Sequence, residues 1–571
     1  MTRFNIRALE IHSGYVWNYD HVVRALGFIR RHDMTTLVLH RNDIVDQIVY
    51  PGALFGSRGD ATNIFERYQD IFRKLYKYTP TRRSGPYQRR DYLRRIIEMA
   101  NRQGTSVYFE NKELSFPDIL IELYPELTKD GTLCPSDPFW AEFIKTKYRE
   151  LFEDLPDLAG IITAPGTGES RLAISSNRCQ CERCRAATPQ SWYRDLLMAM
   201  HEPITQAGKT LIVRDFVFDA KAQAELAETI EKLPEDVVVS LKNTPHDFYP
   251  TFPDNPRLGD VGPHAQWMEY DTMGQYFGWG VGIAVIIEDY RQRMARAEKA
   301  GASGIILRTD WESLDGHSSF ANFNYINLYA GAAIARDGQA SARAIYRRYL
   351  VDEEMVEATA TDADIETAAR WVEDLFSTSW QTVAKSVFVQ DCVFSDSSNY
   401  PVSLAHAFWL AEEKNSLRDW APEKWDALAA DEANLDSIFR EKDEAVDLVL
   451  AALDKLSLRP PALTDEAYTR FCRAMNAFVL YVRGWRGVVR ACMLGRYLSE
   501  GRTGPLALEA PGLLERELAE LVELAAEFRS YAQTTQERFV VYNMLSPERV
   551  EALAADLRPL VSCALPAEVS A

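Results

Sequence analysis

Three carboxylates follow hydrophobic, strand-like segments of the sequence. They are Glu169 in "APGTGES", Asp247 in "KNTPHDF" and Glu269 in "WMEYD". Hydrolysis of a glycosidic bond needs one protonated carboxyl that donates to the leaving oxygen and one ionised carboxylate on the other face of the sugar. A single loop carboxylate can instead cap a helix or pair with an arginine. Because three such residues would meet at one mouth if their strands form a barrel, we treat them as candidate catalytic residues.

The sequence contains eight short apolar segments, and polar segments such as those that contain the three carboxylates follow them. Amphipathic segments such as "DHVVRALGFIRRH" and "RDYLRRIIEMANRQG" lie between them. This alternation predicts βα units and a parallel sheet. The predicted strands are Arg7–His12, Thr35–His40, Thr105–Glu110, Leu158–Thr163, Thr210–Phe216, Val237–Leu241, Ala265–Tyr270 and Gly304–Thr309.

Eight strands with intervening helices predict an α/β fold, a (β/α)8 TIM barrel over residues 1–333. A doubly wound open sheet is the rival fold. Polar clusters follow nearly all the strands, and only a barrel gathers every carboxyl-terminal strand end around one mouth. This pattern favours the barrel.

The pattern changes at about residue 334. Segments such as "DADIETAARWVEDLF" and "EANLDSIFREKDEAVDLVLAALDKL" carry apolar residues with the 3.6-residue period of helices. They predict an α-helical C-terminal domain over residues 334–571, with a turn at Pro460–Pro461. Its apolar stripes leave a homodimer possible.

Composition and charge restrict the classes of partner. The chain has 571 residues, of which 47% are hydrophobic and 26% charged, as in ordinary globular proteins. A net charge of −19 argues against nucleic acid or an anionic membrane as the main partner. The segment "MTRFNIRALEIHSG" lacks the features of a secretory signal, and no apolar run reaches the ~18 residues of a membrane span. We therefore expect a cytoplasmic protein.

The cysteines divide into two groups. Cys392, Cys472, Cys492 and Cys563 lie singly in apolar or helical surroundings, as free thiols do. By contrast, "NRCQCERCR" places Cys179, Cys181 and Cys184 close together, with Cys134 of "TLCPSDP" as a possible fourth member. These four could bind a structural zinc ion, or they could be packed thiols that order a loop.

No cofactor or catalytic metal is expected. His12, His40 and His246 do not have the spacing of metal ligands, so we expect them to form hydrogen bonds instead.

The segment "VSLKNTPHDFYPTFPDNPRLG", followed by "AQWMEYDTMGQYFG", resembles the family 67 α-glucuronidases. In that family Lys-Asn-x-Pro-x-Asp-Phe precedes a strand that ends in the catalytic glutamate. The spacing agrees, since Asp247 and Glu269 are 269 − 247 = 22 positions apart. The segments "GIITAPGTGES", "LIVRDFVFD" and "DGHSSFANFNYINLYAGAAIARDG" also resemble parts of the family's barrel.

The resemblance implies a role for each matched residue. Glu169 would be the general acid, Asp247 and Glu269 would hold and deprotonate the attacking water, and Arg214 would bind the uronate carboxylate. The alternative for Arg214 is that it pairs with Asp215 or a catalytic carboxylate and adjusts its charge. The family inverts anomeric configuration, which fits a water held between sugar and base.

The chain also departs from the family pattern. Pro165 stands where the family has a lysine four positions before its acid, and the sequence begins directly at the barrel, where the family has an N-terminal β-sandwich. The resemblance therefore implies a distant relation to the family, and it leaves open whether the substrate is the same.

Other residues at strand ends are candidates for substrate binding. Each could instead make a purely structural contact in the core. They are Lys242 and Asn243 after strand six, Glu110 and Lys112 after strand three, and Asp310, Trp311 and His317 after strand eight.

The sequence thus predicts an inverting, exo-acting α-glucuronidase or related uronosidase that releases a terminal uronic sugar from an oligosaccharide. One alternative is a retaining glycosidase with Glu169 as acid/base and Glu269 as nucleophile. Another is a non-catalytic carbohydrate-binding protein.

Overall fold

The computed structural model describes eight segments of the chain. They are residues 3–49, 80–129, 131–165, 167–217, 220–311, 317–414, 417–535 and 543–564. Residues 415–416, 536–542 and 565–571 of the predicted helical domain and the side chain of Cys563 lie outside the described part.

The chain divides into two compact units. The barrel unit comprises Met1–Asn243, Asn255–Tyr270 and Ala295–Asp315. The helical unit comprises Thr244–Asp254, Asp271–Met294 and Gly316–Ala571.

Eight parallel strands form a closed barrel in which each strand pairs with its sequence neighbours and the last pairs with the first. This confirms the (β/α)8 barrel and excludes the open sheet. The strands are β1 (Ile6–Ile11), β2 (Thr36–His40), β3 (Ser106–Glu110), β4 (Gly160–Thr163), β5 (Thr210–Arg214), β6 (Val238–Lys242), β7 (Gln266–Asp271) and β8 (Gly304–Arg308).

The strand bounds differ from the predicted ones by at most two residues. The larger differences are at the start of β4 and the end of β5. The Leu158 N–H closes a turn onto the Leu155 carbonyl, and the Phe216 N–H bonds to the Arg214 carbonyl. Leu158 and Phe216 were included in predicted strands because they are apolar, but both lie in turns.

Helices and short ladders connect the strands. Gly104 and Gly301, with φ of 79° and 86°, follow two of the helices in the left-handed conformation that glycine adopts readily. A hairpin pairs Thr128–Lys129 with Thr132–Leu133. In the part of the chain that the structure describes, the helices up to β8 are Tyr19–Arg31, Pro80–Arg102, Ile119–Leu123, Phe139–Asp154, Glu182–Ala186, Pro189–Gln206, Ala220–Ile230 and Ile287–Lys299.

The chain after β8 is largely helical, as predicted. Among the described residues, none of the helices has both the length and the hydropathy needed to cross a membrane. These helices are Tyr325–Arg336, Ala342–Asp352, Asp362–Phe376, Ser379–Val387, Leu404–Trp409, Leu417–Trp420, Glu432–Asp454, Asp465–Ser499, Leu506–Thr534 and Pro547–Ala564.

The barrel interior contains an apolar layer, to which most strands contribute one side chain. Trp267 is its largest member, and it packs against the edge of Tyr108 with 5.5 Å between ring centroids. A Cβ added at Gly304 would meet the Trp267 ring at 2.8 Å, so glycine at the start of β8 makes room for the indole. The layer consists of Ala8, Val38, Tyr108, Ile162, Ile212, Trp267 and Ile306, with Val238 packed against it.

Candidate active site

A ring of polar residues lies directly above the apolar layer. Side chains alternate along a strand, so the residue two positions beyond each member of the layer also faces the interior. On seven strands that residue is polar and buried. We call this set the polar ring: Glu10, His40, Glu110, Arg214, Ser240, Glu269 and Arg308.

Glu269 is held by two neighbours in the polar ring. The Nε of Arg214, on β5, donates to both carboxylate oxygens of Glu269 at 2.8 Å, and Nη2 donates to Oε2. The Ser240 hydroxyl, on β6, donates to Oε1 at 2.6 Å. Burial alone would raise the pKa of Glu269, but Arg214 and Ser240 outweigh it and lower the pKa below its usual value. Glu269 is therefore an ionised carboxylate inside the barrel.

Arg214 links Glu269 to a second set of acids. Its Nη1 donates to Glu110 Oε1 at 3.3 Å. The two ring nitrogens of His40 face Glu10 at 2.7 Å and Glu110 at 3.2 Å. Burial and the neighbouring charges of Glu110 and Glu269 raise the pKa of Glu10 well above its usual value.

The state of His40 fits a protonated Glu10. Burial, His12 and nearby cations lower the pKa of His40, so its imidazole is neutral. A neutral imidazole donates from only one nitrogen. A protonated Glu10 can therefore donate to Nδ1 of His40, which leaves Nε2 as the N–H nitrogen that faces Glu110.

Glu169 lies on the loop after β4 and is 33% exposed in its side chain. Its carboxylate contacts the ammonium group of Lys112, which is buried after β3. The two loops are joined directly, because the Ser170 hydroxyl donates to the Glu113 carbonyl at 2.8 Å. Glu169 is thus an accessible carboxylate positioned by a neighbouring loop.

A buried ion-pair cluster supports the loop that carries Lys112. The ammonium of Lys147 lies 2.7 Å from Glu113 and 3.1 Å from Asp46. The hydroxyl of Tyr148 donates to the same Glu113 oxygen at 2.5 Å. Moving Glu113 out of this cluster would leave a buried charge without its partner, which is costly. The cluster therefore fixes the backbone at Glu113, next to Lys112.

A polar cavity of about 490 Å³ borders Glu169. Arg41, Asn42 and Arg171 also line it. Ligand sites commonly have volumes of about 300–1,000 Å³, so this cavity could accommodate a small sugar.

Lys242 and Asn243 close the end of β6. The Lys242 ammonium lies 3.2 Å from the centroid of the Phe216 ring, which is a cation–π contact. The Asn243 N–H donates to the Glu269 carbonyl at 3.0 Å. This backbone bond fixes the end of β6 against the strand that carries Glu269.

Asp310 follows β8 and is fully buried. It accepts hydrogen bonds from the His12 N–H at 2.6 Å and from the Ser13 and Thr309 hydroxyls. Burial raises the pKa of Asp310 to about 6 despite these bonds. Trp311 comes next and is partly exposed.

Asp247 and His317 belong to the helical unit. Asp247 has a left-handed backbone with φ of 48°, and its carboxylate lies 3.6 Å from His246. His317 Nε2 bonds to the Trp279 carbonyl at 2.8 Å, and burial lowers the pKa of His317 to about 4. The other predicted site residues, Glu110, Glu169, Arg214, Lys242, Asn243, Glu269 and Trp311, all belong to the barrel unit.

Sequence reasoning missed Glu10, Ser240 and Arg308. They lie on β1, β6 and β8, and neither the candidate carboxylates nor the family resemblance indicated them. A usable signal was present, since a polar residue at an inward-facing position of a buried strand needs a partner.

Among the described residues of the barrel unit, two groups have the composition of metal ligands. Glu10, His12 and His40 offer ligand atoms within 4.8 Å of one another. However, the His12 and His40 rings stack at 3.5 Å, and both nitrogens of His40 already face carboxylates. The second group is Cys134, Cys179, Cys181 and Cys184.

Comparisons with known proteins relate the chain to others by fold. No family model and no curated protein matches it. A solved structure of a family GH138 enzyme that targets pectin rhamnogalacturonan II has a TM-score of 0.59 and 10% identity, over 98% of this chain and 67% of that one. This likeness shows the fold.

Two further structures are less similar. The family GH115 4-O-methyl-α-glucuronidase with specificity for decorated arabinogalactans has a TM-score of 0.47 and 11% identity, over 97% of this chain and 62% of that one. The Thermobaculum terrenum O-GlcNAc hydrolase, solved as a mutant, has a TM-score of 0.45 and 12% identity, over 100% of this chain and 96% of that one.

Proposed function

We propose that this protein is a glycoside hydrolase whose reaction takes place at the mouth of the barrel. The observation that carries the proposal is Glu269, which is fully buried yet kept ionised by Arg214 and Ser240. Active sites hold buried carboxylates in this way because a base or nucleophile must be deprotonated at the working pH. The similarity in fold to a glycoside hydrolase of family GH138 supports the same class.

In this proposal Glu169 is the general acid. It is the more exposed of the two carboxylates, and its loop borders a cavity of about 490 Å³. A general acid must reach the leaving oxygen, and an accessible loop position allows that. The ammonium of Lys112 contacts Glu169 and positions its carboxyl group.

The substrate class rests on the motif resemblance to the family 67 α-glucuronidases. We propose an inverting, exo-acting enzyme that removes a terminal uronic sugar, with Glu269 as the base that acts on the attacking water. A retaining mechanism is the second candidate, because an ionised Glu269 would serve equally well as a nucleophile.

Two roles are proposed for Arg214, and its contacts support one of them more than the other. Its guanidinium contacts Glu269 and Glu110, which supports the hypothesis that Arg214 adjusts the charge of a catalytic carboxylate. Binding of a uronate by Arg214 would have to occur alongside these contacts. Lys242, also buried at the mouth, is a further candidate to bind an anionic sugar.

The proposal is tested with a panel of aryl glycosides and uronic-acid-capped oligosaccharides, read by the release of free sugar. We expect release by the wild type and a loss of about 10³-fold or more in Glu269→Gln. Glu298→Gln, which alters an exposed ion pair with Arg3, is the matched control and should keep full activity. If Glu269→Gln keeps the wild-type rate, Glu269 is not the catalytic carboxylate.

A further inference from the structure

Four cysteines from separate loops of the barrel unit meet at one point. Cys134 follows the hairpin Thr128–Lys129/Thr132–Leu133, while Cys179, Cys181 and Cys184 lie between β4 and the helix Pro189–Gln206. Their four sulfur atoms all lie within 4.8 Å of one another. We call them the cysteine cluster.

The sulfur spacing is that of a metal site rather than of disulfides. Cys134 Sγ lies 3.4 Å from Cys184 Sγ and 3.6 Å from Cys181 Sγ. A disulfide would bring two sulfurs to about 2.05 Å. Four thiolates around one zinc ion, each about 2.3 Å from the metal at tetrahedral angles, lie about 3.8 Å apart.

We propose that the cysteine cluster binds one zinc ion as a structural tetrathiolate site. The ion replaces the proton of each thiol, so S–H bonds break, Zn–S bonds form and the protons pass to solvent. With four protein ligands the coordination is complete and no position is open for substrate or water, as in structural rather than catalytic zinc sites.

The local structure suits thiolates. The backbone N–H of Cys184 donates to Cys181 Sγ at 3.4 Å, and a hydrogen bond of this kind favours the thiolate form of a cysteine. A zinc ion with four thiolates carries a net charge of −2, and the motif "NRCQCERCR" contains three arginines and one acid, Glu182, while Arg183 also pairs with Asp137 at 3.2 Å. The basic residues offset the charge of the bound site.

The site would join two loops of the barrel. Trp140 Nε1 donates to the Cys134 carbonyl at 2.8 Å, and Trp192 Nε1 donates to the Pro135 carbonyl at 2.9 Å. The loop segment around Cys134 is thereby already packed against helices on both sides. Zinc would connect the segment around Cys134 to the chain that follows the Glu169 loop. Loss of zinc should therefore loosen the Glu169 loop first.

The test measures metal content in the full-length chain, purified without chelators or a metal-binding tag from zinc-supplemented cells. Elemental analysis should find about one zinc per chain in the wild type, released by a mercurial that reacts with thiolates. Cys134→Ser and Cys184→Ser should each retain about tenfold less zinc. The matched control is Cys472→Ser, which changes a half-buried cysteine in a helix of the other unit and should keep its zinc.

A second measurement avoids dependence on the folding of the variants. Wild-type protein in which zinc is exchanged for cobalt(II) should show the strong visible and thiolate charge-transfer absorption of a tetrahedral cobalt thiolate. The proposal is overturned if the folded wild type contains no zinc, takes up neither metal on addition, and reacts at all four cluster thiols equally with and without zinc.

Discussion

Removing Arg214 should change the ionisation of Glu269 more than it changes substrate binding. Two N–H groups of Arg214, on Nε and Nη2, make three hydrogen bonds to the Glu269 carboxylate, and the two side chains are only 2% and 1% exposed. An opposite charge at this distance lowers a carboxyl pKa by about 1–3 units. In Arg214→Gln that effect disappears and burial dominates, so the pKa of Glu269 rises above its usual value.

The expected loss of kcat/KM follows from the size of this change in the pKa of Glu269. Each pKa unit is worth about 1.4 kcal/mol. A shift of roughly 1–3 units therefore lowers kcat/KM about 10- to 1,000-fold at a pH between the old and new values. The acid limb of the pH profile should move upward by the same roughly 1–3 units. Arg214→Lys keeps the charge but loses the paired hydrogen bonds, so its limb should move less.

Stability should follow the same linkage. In the wild type the lowered pKa of Glu269 contributes stability that is present above the unfolded value of about 4.3 and lost as pH falls through the folded pKa. In Arg214→Gln the raised pKa makes stability decrease as pH rises above about 4.3. Urea unfolding at acidic and neutral pH should therefore show a difference from wild type that widens toward neutral pH, reaching about 3–5 kcal/mol.

The assay compares a uronoside with its neutral glycoside across pH. Arg90→Gln is the matched control, since it breaks an ion pair with Asp154 between outer helices of the barrel and should leave the acid limb in place. If the limb of Arg214→Gln does not move while its preference for the uronoside collapses, the reasoning is refuted and Arg214 is a uronate-binding residue.

Three further predictions follow from the site. Glu169→Gln should remove most turnover of natural leaving groups, which need protonation, and spare activated aryl glycosides; equal loss on both would contradict an acid role. Ser240→Ala removes the 2.6 Å hydrogen bond to Glu269, and such a bond to a charged acceptor is worth about 1.5–3 kcal/mol. The acid limb of the pH profile should therefore move upward, by less than in Arg214→Gln. An unmoved limb would mean that the bond does not affect the ionisation of Glu269. Asp310, with a pKa raised to about 6, should make stability fall by roughly 3 kcal/mol as pH rises from about 4 to 6, and unfolding of Asp310→Asn should lack this slope.

The stereochemical outcome is also predicted. Proton NMR of the first-formed sugar should show inversion at the anomeric carbon. A retained anomer at early times would favour the second candidate, in which Glu269 is the nucleophile.

The positions of the barrel strands could be predicted because each is a short β-branched run followed by polar residues. Thr36–His40 and Gly304–Arg308 match their predicted ranges to within one residue. The strands of a parallel barrel are buried on both faces, so they are short, nearly continuous apolar runs that can be recognised in the sequence. Strand ends were less certain, since Phe216 is apolar but lies in a turn.

The partners of the site residues could not be predicted in the same way. Arg214 and Glu269 are 55 positions apart, and their contact depends on the order and register of β5, β6 and β7. The sequence indicated that Arg214 could pair with a catalytic carboxylate but not which one. Cys134 likewise lies 47 positions before Cys181, and only the folded loops bring the two sulfurs together.

The central claim, that this protein hydrolyses a glycosidic bond, is tested most directly by isotope incorporation. A uronic-acid-capped oligosaccharide is incubated with wild-type protein in H₂¹⁸O, and the products are analysed by mass spectrometry. Water is the attacking group in glycoside hydrolysis, so the proposal predicts free uronic sugar carrying one ¹⁸O at the anomeric carbon, and none formed with Glu269→Gln. Equilibrium binding of the oligosaccharide without release of any labelled sugar, across the whole panel of glycosides, would contradict the claim and identify a carbohydrate-binding protein.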